Sequence, residues 1–255
     1  MSYSRPWMFL GLTLMAAGTT LLCQQGCRPA NDPKPEEPVT QASPEPVETS
    51  TKESPPKKQK NTAPQPTGEE TLPWKSLFDG KALTGWKTLQ FGGEGEVQVR
   101  DGMIVMEMGS MMTGIAWTGE IPRDNYELAL EGMRLDGADF FCTTTFPVGD
   151  EPCTLVVGGW GGGVVGLSNV DFQDASNNAT MKFLDFKENQ WYRVRIRVTD
   201  AAIEAWIDDE QVVNQPREGH KFGIRDEVEL CRPLGIASYC TKGAVRNIRV
   251  RSLKP

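Results

Sequence analysis

Strict alternation of apolar and polar side chains, in runs too short for helices, most limits what this chain can fold into. Residues 191–198 read Trp-Tyr-Arg-Val-Arg-Ile-Arg-Val. Tyr192, Val194, Ile196 and Val198 fall on one face, and Arg193, Arg195 and Arg197 on the other. A period of two places successive side chains on opposite faces of an extended strand, whereas a helix would scatter both sets around its axis. The same period marks Tyr126–Arg134, where Tyr126, Leu128 and Leu130 share a face, and strands are also predicted at Ala202–Ile207, Gln211–Val213, Leu234–Ser238 and Val245–Arg251. Turn residues punctuate the runs: Asp101-Gly102, Pro147-Val148-Gly149-Asp150, Thr199-Asp200 and Asp208-Asp209. Asp-Gly suits a two-residue hairpin because both positions tolerate positive φ. No amphipathic stretch of helical length interrupts the series. The pattern predicts an all-β sandwich or barrel of antiparallel strands, and arginine facing opposite to valine marks a sheet with one face in water.

The strand pattern begins only after residue 72. Ahead of it, Arg5 and the apolar run from Trp7 to Leu22 predict an export signal over residues 1–27. That run is short for a spanning helix, which takes about 17–25 residues. Gly26-Cys27 resembles the junction at which bacterial lipoproteins are cut and acylated, although Gln24 and Gln25 replace its usual aliphatic residue. Cys27 is therefore a candidate lipidation site, with an uncleaved anchor or plain secretion as alternatives. Each places the protein outside the cytoplasm, in the cell envelope, periplasm or at a membrane through its N-terminal anchor. Residues 28–72 are rich in Pro, Glu, Lys, Thr, Gln and Ser and lack aromatics. Such a segment buries too little apolar surface to offset its ordering entropy, and reads as a disordered, extended spacer. Residues 73–255 are the length of one domain. The acidic balance, net charge −7, argues against nucleic acid as a partner.

Four of the six cysteines fall in the domain: Cys142, Cys153, Cys231 and Cys240. In an exported chain the simplest connectivity is local, Cys142–Cys153 and Cys231–Cys240, against a reading of four buried free thiols. The single histidine, His220, and the lack of a CxxC pair argue against zinc. Gly161-Gly162-Gly163-Val164-Val165-Gly166 satisfies the dinucleotide-binding spacing, but Val164–Leu167 continues as strand where that site needs a helix. The glycine run around Trp160 reads instead as a sharp turn at a strand end. Trp160 itself is either a platform on which a sugar ring stacks or a core tryptophan. Residues 171–178, Asp-Phe-Gln-Asp-Ala-Ser-Asn-Asn, form an oxygen-rich loop. Asp171, Asp174 and Asn177 could bind sugar hydroxyls, transfer protons or ligate Ca²⁺, or simply solvate a turn. Trp206 lies toward the arginine face, where Arg195 or Arg197 can pack on it.

The domain opens with Phe78-Asp79-Gly80-Lys81-Ala82-Leu83-Thr84-Gly85-Trp86. Further phrases follow in order: the hairpin Val97–Val105, Asn125-Tyr126-Glu127-Leu128, Gly137-Ala138, the hairpin Trp191–Val213, Pro233-Leu234-Gly235-Ile236 and Arg246-Asn247-Ile248-Arg249-Val250. Together they resemble the 3-keto-disaccharide hydrolase domain family, also described as 3-keto-glucoside lyases and hydratases, across residues 74–253. The resemblance implies a concanavalin A-like jelly roll whose concave sheet binds carbohydrate. For an enzyme it implies cleavage of an oxidised sugar, a 3-keto-glycoside, whose C3 ketone acidifies the C2 proton.

The departures bear on chemistry. Where the family often reads Q-D-H-G, this chain has Ala237-Ser238-Tyr239-Cys240, with neither acid nor imidazole. Asp139-Phe140-Phe141-Cys142 replaces N-S-G-I, Cys153-Thr154-Leu155-Val156 lacks the carboxylate of Y-E-V-Q, and His220 matches no family motif. Glycosidic chemistry needs a proton donor and acceptor facing one substrate. Asp139, at the family's asparagine position, joins Asp171 and Asp174 as candidates for proton transfer, with Trp160 and Asn177 holding the sugar. Two other readings stand beside the enzyme. One is a carbohydrate-binding or surface-interaction module that kept the fold without the chemistry, the other a structural domain of the envelope.

Overall fold

Hairpins close where the turn residues place them. In a computed structural model of the chain, which describes residues 72–254, Asp101 and Gly102 take φ of 51° and 76°, and Asp208 and Asp209 take 49° and 74°. The export signal, Cys27 and the spacer up to residue 71 lie outside the described residues. The first five strands are β1 (Lys75–Ser76), β2 (Trp86–Thr88), β3 (Val97–Arg100), β4 (Met103–Met106) and β5 (Met112–Trp117). Next come β6 (Tyr126–Gly137), β7 (Thr143–Val148), β8 (Glu151–Gly158), β9 (Val164–Ser168) and β10 (Lys182–Phe183). The series ends with β11 (Trp191–Val198), β12 (Ala202–Ile207), β13 (Glu210–Pro216), β14 (Gly235–Tyr239) and β15 (Thr241–Ser252).

They form two antiparallel sheets of a jelly-roll sandwich. The first runs β13-β12-β11-β6-β15-β4-β3, with β1 added on β15, and the second runs β10-β9-β8-β7-β14-β5-β2. The predicted alternation in β11 holds, with Tyr192, Val194, Ile196 and Val198 buried against the opposite sheet. They meet Phe146, Leu155, Leu167 and Ile236 from the second sheet in one core. Each such side chain contributes about 1.5–3 kcal/mol on leaving water.

The outer face of the first sheet is an arginine–tryptophan lattice. Arg195 lies 3.7 Å over the Trp206 ring, as the pattern predicts, Arg246 lies 4.0 Å over Trp191, and Arg249 and Arg251 flank Trp74. Glu127, 3% exposed, sits between Arg195 at 2.8 Å and Arg251 at 2.6 Å.

The predicted disulfides do not form: all four thiols are free. Thr144 faces Leu155 and Phe146 faces Cys153 across the β7–β8 ladder. Cys142 is therefore four positions along from Cys153, or roughly 13 Å at strand rise, beyond what a disulfide spans. Its sulfur points at Gly132 of β6, where a Cβ would meet Sγ at 2.4 Å. Cys231 packs on Gly235, where an added Cβ would lie 2.7 Å from its Cα. Cys240 follows the far end of that strand, roughly 16 Å away. Burial raises the Cys142 and Cys153 thiols far above their ordinary pKa, and pushes Cys231 up to about 12.

Candidate functional site

The alternation that buries Leu155 and Val157 in β8, and Val165 and Leu167 in β9, turns Thr154, Val156, Gly166 and Ser168 to the outer face of the second sheet. Thr143, Thr145, Ala237 and Gly235 continue that face across β7 and β14. Small side chains and hydroxyls thus make a floor, and flanking segments raise its walls. Asp139 and Phe140 come from the β6–β7 loop, Trp160 from the β8–β9 turn, and Arg225, Glu227 and Val228 from the 3₁₀ turn Asp226–Cys231 and its entry. Met111 and Tyr239 close the side toward β5. The result is a cleft of about 290 Å³. Phe140 and Tyr239 stack with ring centres 5.7 Å apart.

Trp160 is held on a left-handed turn. Gly158, Trp160, Gly161 and Gly162 have φ of 79°, 49°, 85° and 110°, a conformation that glycine adopts freely and tryptophan does not. The turn aims the indole into solvent, 43% exposed at the edge of the cleft, and this excludes the core-tryptophan reading. Beneath it lies Arg134, 6% exposed. Its Nη2 donates to the carbonyls of Gly162 at 2.8 Å, Asp139 at 3.1 Å and Gly158 at 3.5 Å, and its Nη1 donates to Phe186 at 3.3 Å. One guanidinium ties together the segments that carry Asp139 and Trp160. Burial pulls its pKa down, opposed by the charge of Asp139.

The sequence candidates divide. Asp139 lines the cleft, where Oδ1 accepts the Phe140 N–H at 2.8 Å and Oδ2 the Gly161 N–H at 3.1 Å. Asp174 stands behind the wall and accepts from Arg225 at 3.0 Å. Asn177 donates to Asp174 at 2.9 Å and so supports the loop rather than the floor. Asp171 does not join them. Its carboxylate takes the Lys221 N–H at 2.9 Å and pairs with His220 Nδ1 at 2.7 Å, where His220 lines a separate hollow with Glu151 and Arg217. Asp171 and Asp174 therefore serve different partners, and among the described residues no group of three or more His, Cys, Asp or Glu gathers as a cation shell.

Arg225 is braced from both sides, by Asp174 and by Glu227 at 2.7 Å. The Arg225 hydrogen bond holds the Glu227 carboxyl below its ordinary value despite burial. Burial raises Asp174, but the Ser176 hydroxyl and N–H, Asn177 and Arg225 outweigh it and the net shift is downward. The sequence reading missed Phe140, Arg225, Glu227, Tyr239 and Arg134 as site residues. Only Arg134 left a signal. It occupies the apolar register of Tyr126, Leu128 and Leu130, and an arginine there must find acceptors in the interior.

Residues 73–251 match the sequence model of the 3-keto-alpha-glucoside-1,2-lyase-like domain family. Similar solved structures include a Bacillus subtilis protein of unknown function with a galectin-like fold, 10% identical at TM-score 0.50, the likeness covering 73% of this chain and 98% of that one. Another is apo Crh5 transglycosylase, 12% identical at TM-score 0.50, covering 72% and 88%. At such identities they bear on the fold alone. No curated protein matches the chain. The family match runs through every motif from Phe78 to Val250 and spans the two sheets and the cleft: this chain belongs to the 3-keto-alpha-glucoside-1,2-lyase-like domain family.

Proposed function

We propose that the cleft binds a carbohydrate ring and does not cleave it. The observation that carries this reading is an exposed indole, Trp160, beside a floor of hydroxyls, with no free acid–base pair among the lining residues. Where the family reads Asp-His, Ser238 is 1% exposed on the interior side of β14, and Tyr239 presents a phenol to the cleft. Of the carboxylates that remain, Glu227 is committed to Arg225 and stays ionised, so it is no proton donor, and Asp139 is held by two backbone N–H groups. An indole face packs on the C–H surface of a pyranose, while the Tyr239 phenol and the Arg225 guanidinium in the cleft walls can meet its hydroxyls.

Calorimetry on a carbohydrate panel, paired with a turnover assay on a 3-keto-glucoside, tests the reading. Binding without product is expected, weakened at least about tenfold in Trp160→Ala. Release of the aglycone at a rate that Asp139→Asn abolishes would overturn it in favour of the second reading, 3-keto-glycoside cleavage, for which family membership and the placement of Asp139 speak.

The export signal and Cys27 support presentation of the domain at the cell envelope on the spacer of residues 28–72. Intact mass of the mature protein checks this, and an unmodified N-terminus beyond Cys27 would exclude the lipid anchor.

A further inference from the structure

Resting on the reading of the cleft as a sugar site, we infer that it is the centre of a longer groove that takes an extended neutral glycan, laid across the strands of the second sheet. The register gives the path. Phe183 of β10 faces Val164 of β9, and Val164 lies on the outer face with Val156 and Phe140. Residues directly opposite in a ladder share a face, so the Phe183 ring stands on the same side as the cleft. It covers Gly163, at the base of the turn that carries Trp160, where an added Cβ would meet the ring at 2.4 Å. On the other flank Tyr239 pairs with Met112 of β5, beside Met111.

Phe183, Trp160, Phe140, Tyr239 and Met111 therefore form a band perpendicular to the strands from β10 to β5. Six strands at about 4.8 Å spacing make it roughly 24 Å long, several sugar rings rather than one. Phe183 is 71% exposed, Met111 51% and Trp160 43%. Apolar rings left open in a row, rather than scattered, mark a binding surface. The charges select the occupant. Arg225 is the one cation among the cleft-lining residues, and Asp174 and Glu227 already hold it. Asp139 adds a negative charge. Within the cleft a uronate or sulfate group would find the only lining cation already paired, while a neutral chain meets stacking faces along the band.

The test is an array of neutral oligosaccharides graded from one to six units, probed with the full chain, Phe183→Ala and Trp160→Ala. Affinity should rise with length. Phe183→Ala should lower binding to the longest bound chains about tenfold and leave the shortest unchanged, whereas Trp160→Ala lowers both. Length-independent binding that ignores Phe183→Ala but falls with Trp160→Ala would overturn the groove and leave the cleft standing. Absence of binding to any chain, or binding indifferent to Trp160→Ala, would overturn the cleft and the groove with it.

Discussion

Arg134 shows how one side chain can hold the segments of the proposed sugar cleft together from beneath. Four carbonyls from three segments converge on its guanidinium, and all of them lose their donor if it is removed. Each buried acceptor left alone costs about 1–3 kcal/mol. Arg134→Met is thus expected to lose about 3 kcal/mol of unfolding free energy, read by urea denaturation. Arg134→Lys keeps the charge but not the fork that reaches both segments. It should recover much of the stability while ligand affinity stays low, a split that a merely structural role would not give.

The Arg225 brace has its own signature in pH. Glu227 and Asp174 lie below their ordinary values of 4.5 and 3.8. A carboxyl with a depressed folded pKa stabilises the fold above its unfolded value, and that contribution disappears as pH falls through the folded one. Cleft binding should therefore hold from pH 7 to 5 and weaken only below about pH 4. A titration series of binding constants checks this. Loss of binding already between pH 7 and 5 would show that the Arg225 brace does not set the pH dependence.

At the scale of elements, the β8–β9 turn trades backbone strain for display. Trp160 sits at φ 49°, which costs a non-glycine residue about 1–2 kcal/mol. Glycine would relieve that strain but restore flexibility to the unfolded chain. Trp160→Gly should then leave stability within about 1 kcal/mol of the parent and still abolish sugar binding. Thermal melts beside calorimetry separate the two effects, and a large drop in melting temperature would show that the indole packs as core. Hairpins and strands were largely legible in the sequence, because alternation and Asp-Gly or Asp-Asp turns are local signals. The cleft was less so. Arg225, Glu227 and Tyr239 reach it through crossovers among β5, β7 and β14, and no local pattern reports which loops a jelly roll brings together. The disulfides fail for the same reason: nearness in sequence at Cys142 and Cys153 becomes distance along a ladder.

Across the whole molecule, the ion-pair lattice and the proposed sugar cleft lie on opposite sheets. The first sheet spends its outer face on a lattice of Arg, Glu and Trp and joins the start of the domain to the family's closing phrase: Lys75 and Ser76 pair with Val250 and Arg249. The second keeps a sparse outer face and leaves its rings open to solvent. Glu127 tests this division because it lies under two arginines from different strands, on β11 and β15, and reaches no part of the cleft. Glu127→Gln preserves the shape and removes the charge. Breaking a nearly buried ion pair from one side costs about 3–5 kcal/mol, since the remaining charges stay desolvated; here the partners keep partial contact with water, and about 3 kcal/mol is expected. For a domain of this size that lowers the melting temperature by roughly 6–12 °C. Affinity for the glycan that binds best should be unchanged at temperatures where the variant is folded. A coupled loss of both would mean that the lattice shapes the cleft through the shared core, and that the two sheets do not act independently.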